Sequence, residues 1–112
     1  MDQTRLDRLF TFLQRAPEDA FTLYSIAYEY VQMAEWDEAL NYFTKLKALH
    51  PDYVGLYYHL GKTYERLDQK ETAISTYEEG LVVAQKQKDF HARSELQRAL
   101  NQATGLDFED DF

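Results

Sequence analysis

The sequence predicts an all-α protein built from repeated helical hairpins, and three observations carry that prediction. Glycine and proline are scarce, four and two among 112 residues, and Leu, Ala, Glu, Gln and Tyr outweigh Val, Ile and Thr, a balance that favours helix. Apolar residues recur at i, i+3, i+4 and i+7, as in Leu23, Ile26, Ala27 and Tyr30, which is one stripe of an α-helix. The pattern then returns 34 residues later: Ile26-Ala27, Tyr30, Ala39 and Phe43 are matched by Leu60-Gly61, Tyr64, Ala73 and Tyr77. A repeat of that length is one supersecondary unit that cannot bury its apolar face alone, so copies stack.

Six helices are expected, near residues 2–15, 19–33, 37–49, 53–67, 70–87 and 89–103. The first carries the stripe Leu6, Leu9, Phe10 and Leu13, and Pro17, which cannot continue a helix, stops it. Residues 2–17 therefore read as half a repeat, the second helix of a unit whose first is missing, shielding the apolar edge of the stack. Residues 20–53 form the first full repeat, with stripes Leu23, Ile26, Ala27, Tyr30 and Ala39, Leu40, Phe43, Leu46 around a polar break at 34–37. Residues 54–88 repeat it with Tyr57, Leu60, Gly61, Tyr64 and Ala73, Ile74, Tyr77, Leu81. Ala27, Gly61, Ala39 and Ala73 put small side chains where helices cross, letting axes approach to about 8–10 Å.

Beyond the second copy an offset of 34 would place Ser94, Glu95 and Arg98 on the core stripe, whereas an offset of 36 maps Leu56, Leu60, Thr63, Tyr64 and Leu67 onto Ala92, Leu96, Ala99, Leu100 and Ala103. The fifth helix should therefore run on to about Gln87, where the first copy has already stopped before Pro51, and Asp89 should cap the final helix. The polar face of residues 89–103, with Arg93, Glu95, Gln97 and Arg98, reads as the solvating cap of the array. Gly105 ends that helix, and residues 104–112 form an acidic tail, solvated or acting as a short acidic-aromatic docking motif.

Leu60-Gly61-x-x-Tyr64 followed by Ala73-x-x-x-Tyr77, with Ala39-x-x-x-Phe43 and Pro51 in the first copy, resembles the tetratricopeptide repeat. The resemblance covers two full copies. It departs at the family's early tryptophan, replaced by Leu23 and Tyr57, and at Gln85, which stands where the first copy has Pro51; Trp36 lies in the turn and reads as a packing residue. The resemblance implies antiparallel helix pairs in a right-handed superhelical stack, an α-solenoid, acting as a protein-interaction scaffold. In that family the first helix of each repeat lines the concave side. The residues displaced from the core stripe there are Phe21, Tyr24, Tyr28 and Gln32 in one copy and Tyr58, His59, Lys62 and Arg66 in the next. Tyrosines offer rigid, amphipathic contact area and Lys62 with Arg66 adds positive charge, so these eight are the expected partner-binding residues. The carboxylate clamp by which some members grip chaperone tails is missing, since Tyr24, Tyr28 and His59 occupy its slots.

Twenty acidic against twelve basic residues give a net charge of −8. That field repels nucleic-acid backbones and anionic membranes, and Arg5, Arg8, Arg15, Lys86 and Lys88 form no patch to reverse it; they read as solvated surface. The start lacks a signal-peptide pattern and no run could span a membrane, which makes the cytoplasm the default expectation. With no cysteine, neither disulfides nor a thiol nucleophile is available. His50, His59 and His91 lack helical i+3 or i+4 partners for zinc, and phosphate loops and nucleophile elbows are absent, so no metal, cofactor or catalytic residue is expected. His50, before Pro51 at a helix end, suits the helix dipole. Two classes of partner remain, a peptide segment of another protein or a second copy of the chain in a weak dimer.

Overall fold

The computed structural model describes residues 3–105, and the acidic tail beyond Gly105, expected to be solvated or a docking motif, lies outside them. Among the described residues there are six helices and no strand: α1 (Gln3–Arg15), α2 (Ala20–Gln32), α3 (Trp36–Leu49), α4 (Gly55–Arg66), α5 (Lys70–Gln87) and α6 (Phe90–Thr104). Every expected helix is present, with ends displaced by two residues at most and those of α5 coinciding with the expectation. The differences have local causes. Asp19 precedes α2 as its N-cap, its carboxylate accepting from Thr22 N at 3.0 Å and Thr22 Oγ1 at 2.6 Å, bonds that hold its carboxyl below the ordinary value of 3.8. Trp36 joins α3 because Glu35 already takes the N-cap position.

The chain forms two compact units that divide between Leu56 and Tyr57, inside the first turn of α4. In the first unit α2 packs on α3 and, more lightly, on α1. Leu23, Ile26, Ala27, Ala39, Phe43 and Leu46 are fully buried there, with Leu6 of α1 nearly so. Arg5 is an exposed surface charge, as the sequence suggests, and its Nε lies 2.9 Å from the buried carboxylate of Glu29 on α2. His50 caps α3, and its Nε2 donates to the Glu18 carbonyl at 2.6 Å.

The second unit is centred on α5. Gly61 and Gly80 admit rings where any side chain would collide: a Cβ on Gly61 would lie 2.2 Å from Tyr77 Cε1, and one on Gly80 would lie 2.6 Å from Tyr57 Cβ and 3.0 Å from Leu96 Cδ1. Buried Tyr77 donates its hydroxyl to the Glu65 carboxylate, which satisfies the polar end of an otherwise apolar ring. Burial, with Glu65, pushes the Tyr77 hydroxyl far above its ordinary range. As the offset of 36 requires, Leu96, Ala99 and Ala103 are buried on α6, and Asp89 caps it by accepting from Ala92 N at 3.0 Å.

The two units share one turn design. Helices α2, α4 and α5 each end on a left-handed residue, Ala34 (φ 56°), Asp68 (φ 62°) and Lys88 (φ 57°). The next amide bonds back to the helix each time, Glu35 N to Tyr30 O, Gln69 N to Tyr64 O and Asp89 N to Ala84 O, all at 2.9 Å. This is the Schellman closure, with a side chain where glycine is usual. A left-handed conformation costs a residue with a Cβ roughly 1–2 kcal/mol, partly recovered because alanine loses less chain entropy than glycine. Ala34→Gly should therefore raise stability by about 0.5–1 kcal/mol, read as a higher urea midpoint; an unchanged or lower midpoint would show the turn to be unstrained.

The outward stripes of α1 and α6 differ from the core stripes they copy. Where Ala39 and Ala73 sit on α3 and α5, the equivalent place on α1 holds Arg5; where Tyr57 and Gly61 sit on α4, α6 holds Arg93 and Gln97. Both are exposed, and with Phe90 and Ser94 they line an open depression of about 370 Å³.

Candidate functional site

The candidate residues stand one helical step away from the buried stripes of α2 and α4. On α2, Leu23, Ile26 and Ala27 turn inward, leaving Phe21 about two-thirds exposed, Tyr28 just over one-third exposed, Gln32 exposed and Tyr24 half-buried. Tyr24 and Tyr28 stack nearly parallel, ring centroids 6.3 Å apart. Tyr24 also meets Phe43 edge-on at 6.1 Å and Tyr53 at 5.5 Å. Tyr24 is therefore chiefly a packing residue that holds Tyr28 in place. Tyr28 and Gln32, with Arg5 and Glu29, line a shallow depression of about 310 Å³.

On α4, Tyr57, Leu60 and Gly61 are buried and Tyr58, His59 and Lys62 are half-exposed, with Arg66 exposed one turn on. Lys62 Nζ lies 5.6 Å from the Tyr58 ring centroid, within cation–π range. The Tyr58 ring meets His59 edge-on at 5.2 Å. Desolvation lowers the His59 pKa from 6.5, partly offset by the Glu95 carboxylate, so burial favours the neutral imidazole. Desolvation, then Glu95, raises the Tyr58 pKa, and Arg98 opposes the shift. Glu95 and Arg98 of α6 therefore belong with Tyr58 and His59. Sequence reasoning assigned both to a solvating cap, although the offset of 36 carried the signal: His59 and Lys62 map onto Glu95 and Arg98. Arg5 and Glu29 were missed for a different reason, since a pair 24 residues apart leaves no periodic trace.

No group of three or more His, Cys, Asp or Glu able to hold a metal occurs among the described residues, and no helix among them is long and apolar enough to cross a membrane. The site consists of rings and charges on helix faces.

Its repeat architecture has relatives. A family model described as RMD1-3, regulator of microtubule dynamics protein 1-3, matches residues 20–104. The crystal structure of a tetratricopeptide repeat domain protein from Salinibacter ruber is 46% identical with a TM-score of 0.75, covering 80% of this chain and 100% of that one. The chain belongs to the tetratricopeptide repeat family. A solution structure of the Salinibacter ruber tetratricopeptide repeat protein agrees, at 47% identity and TM-score 0.75 over 81% of this chain and 92% of that one. A protein from Bordetella parapertussis, 24% identical over 95% of this chain and 92% of its own, shares the fold with a TM-score of 0.79. No curated protein matches the chain. As a tetratricopeptide repeat protein it has an all-α fold suited to protein partners, and such folds are typically scaffolds without catalysis.

Proposed function

We propose that this tetratricopeptide repeat protein is a non-enzymatic interaction module that binds an acidic, aromatic-containing peptide segment of a partner on its first-helix faces. The reading takes residues 20–53 and 54–88 as the full repeats, flanked by 2–17 and the helix 89–103. The observation that carries it is the Tyr58–Lys62 pair on α4, an aromatic plate with a cation over it and Arg66 one turn on, in a chain of net charge −8. Such a pair presents a flat apolar surface and a charge to the same ligand, which suits a segment alternating carboxylates with rings. Tyr28, held by its stack on Tyr24, offers a similar plate on α2.

The alternative occupant is a second copy of the chain. End-to-end stacking is opposed by Arg5 on α1 and by Arg93 and Gln97 on α6, where a continuing array needs small or apolar residues. A self-associating form would have to use the exposed rings instead.

Titration of the free peptide Phe-Glu-Asp-Asp-Phe into labelled protein should move the amides of Tyr58 and Lys62, with affinity falling as salt rises. Lys62→Glu should weaken binding about tenfold, roughly 1.4 kcal/mol, with an unchanged melt because Lys62 is outside the core. Equal binding by parent and variant, or by the basic peptide Phe-Lys-Lys-Lys-Phe, would overturn the reading. Light scattering at two concentrations separates the second-copy alternative.

A further inference from the structure

The face that α4 and α6 share in the second unit differs in charge from the chain as a whole. Lys62 and Arg98 stand around Tyr58 with Glu65 and Glu95, and Arg66 is exposed one turn on from Lys62; the Glu65 carboxylate accepts from the Tyr77 hydroxyl and keeps its charge, so three cations stand against two carboxylates. Tyr58 supplies a ring among them, with Lys62 over it. The helix that carries Arg98 ends at Thr104, where Gly105 in the left-handed conformation (φ 77°) closes it, the Gly105 amide bonding to Gln102 O at 3.3 Å. Leu-Asp-Phe-Glu-Asp-Asp-Phe follows: four carboxylates and three apolar side chains in residues 106–112.

We propose that residues 106–112 are an internal ligand of this face, docking beside Tyr58, Lys62 and Arg98 and competing with the partner segment; the inference rests on the α4 face being a binding surface, as argued above. Reach permits it. Seven residues span up to about 25 Å when extended, whereas Arg98 lies about 9 Å back along α6 from its last residue. Charge complementarity favours it, because Asp107, Glu109, Asp110 and Asp111 would meet a face whose three cations outnumber its two carboxylates in a chain of net charge −8, with Lys62 and Arg98 as the partners beside Tyr58. Tethering through so short a linker gives an effective concentration in the millimolar range, so a free segment of similar composition competes at a disadvantage. The partner must then bring better-placed rings or more charge than the tail does.

The chain has no native cysteine, so Asp111→Cys in the full chain accepts a single nitroxide while leaving both tail phenylalanines and three acids. Amides of Tyr58, Lys62 and Arg98 should broaden, and should recover in 0.5 M salt. In parallel, the full chain carrying Asp107→Asn, Glu109→Gln, Asp110→Asn and Asp111→Asn should bind the free Phe-Glu-Asp-Asp-Phe peptide about tenfold more tightly than the parent. Broadening confined to the last turn of α6, or equal peptide affinity in parent and neutral-tail variant, overturns the proposal. Broadening passed to unlabelled copies mixed with labelled ones also overturns it and assigns the face to a second chain. If the label leaves α4 untouched while the free peptide still moves Lys62, the internal ligand is wrong and the binding face stands. If the peptide moves nothing either, both fall.

Discussion

Gly61→Ala should lower the urea midpoint, with a net loss of about 2 kcal/mol once the helix-propensity gain is subtracted. In an exposed helix the same change would gain about 1 kcal/mol from propensity, so the sign alone tests the packing. Here the added methyl would lie 2.2 Å from Tyr77 Cε1 and 2.6 Å from both Cδ1 and Cζ. That ring is fully buried on α5 and anchored at its hydroxyl by Glu65, so it has nowhere to retreat. Overpacking of this kind costs typically 1–3 kcal/mol and occasionally more. Gly55→Ala is the control: its Cβ meets Tyr53 and Tyr24 only at 3.8 Å and 3.9 Å, ordinary contact, and its midpoint should hold or rise. Tyr77→Leu should partly rescue Gly61→Ala, the double variant losing less than the sum of the singles. A Gly61→Ala midpoint equal to or above the parent's would mean that α4 and α5 can separate at little cost.

Phe43→Ala should cost about 3–5 kcal/mol, the usual range for removing a buried phenylalanine. Phe43 is fully buried on α3 and its edge meets Tyr24, so the variant opens a cavity beneath the very ring that supports Tyr28. Two readouts should move together. The midpoint should fall, and the ring resonances of Tyr24 and Tyr28 should shift towards those of mobile tyrosines. A large loss of stability with the Tyr24–Tyr28 stack undisturbed would separate the core from the candidate face and show that Tyr28 is held by its own helix.

The helices were legible because their periodicity is strong and because it occurs twice. Leu23, Ile26 and Ala27 could be an isolated accident, but Tyr57, Leu60 and Gly61 recur at the same spacing and are buried in the same way. Changing the offset from 34 to 36 located α6, since only that register puts Leu96, Ala99 and Ala103 inside. The places of the turns were legible, as at the polar break 34–37, but their backbone conformation was not. Ala34, Asp68 and Lys88 adopt a conformation that glycine usually advertises; aspartate enters it more readily than most residues, but nothing in an alanine or a lysine announces it. Gly80 was equally silent, because its counterpart in the first copy is the buried Leu46: one repeat fills with a side chain the place that the other leaves to Tyr57 and Leu96.

The candidate faces were half legible. Displacement from the core stripe marked residues that are exposed, Phe21, Tyr28, Gln32 and Arg66, together with half-buried ones, Tyr24, Tyr58, His59 and Lys62. It could not tell Tyr24, enclosed by three rings, from Tyr28, which has one side open, because both stand at the same kind of position. Distinguishing them takes knowledge of Phe43 and Tyr53, residues that approach from outside the helix. Arg98 could have been found by carrying the offset of 36 through to polar positions as well as apolar ones.

The outward stripe of α6 makes the repeat number a property of a few side chains. To lengthen the array by another hairpin, an engineer would have to restore at residues 93 and 97 the ring and the gap that Tyr57 and Gly61 provide on α4. With arginine and glutamine there, a grafted helix would meet a hydrated, branched surface in place of a socket. On the proposal that α6 is a cap, modularity would be confined to the interior of the array, and Arg93 and Gln97 would act as punctuation: the same 34-residue grammar that permits another unit would be closed by two polar letters.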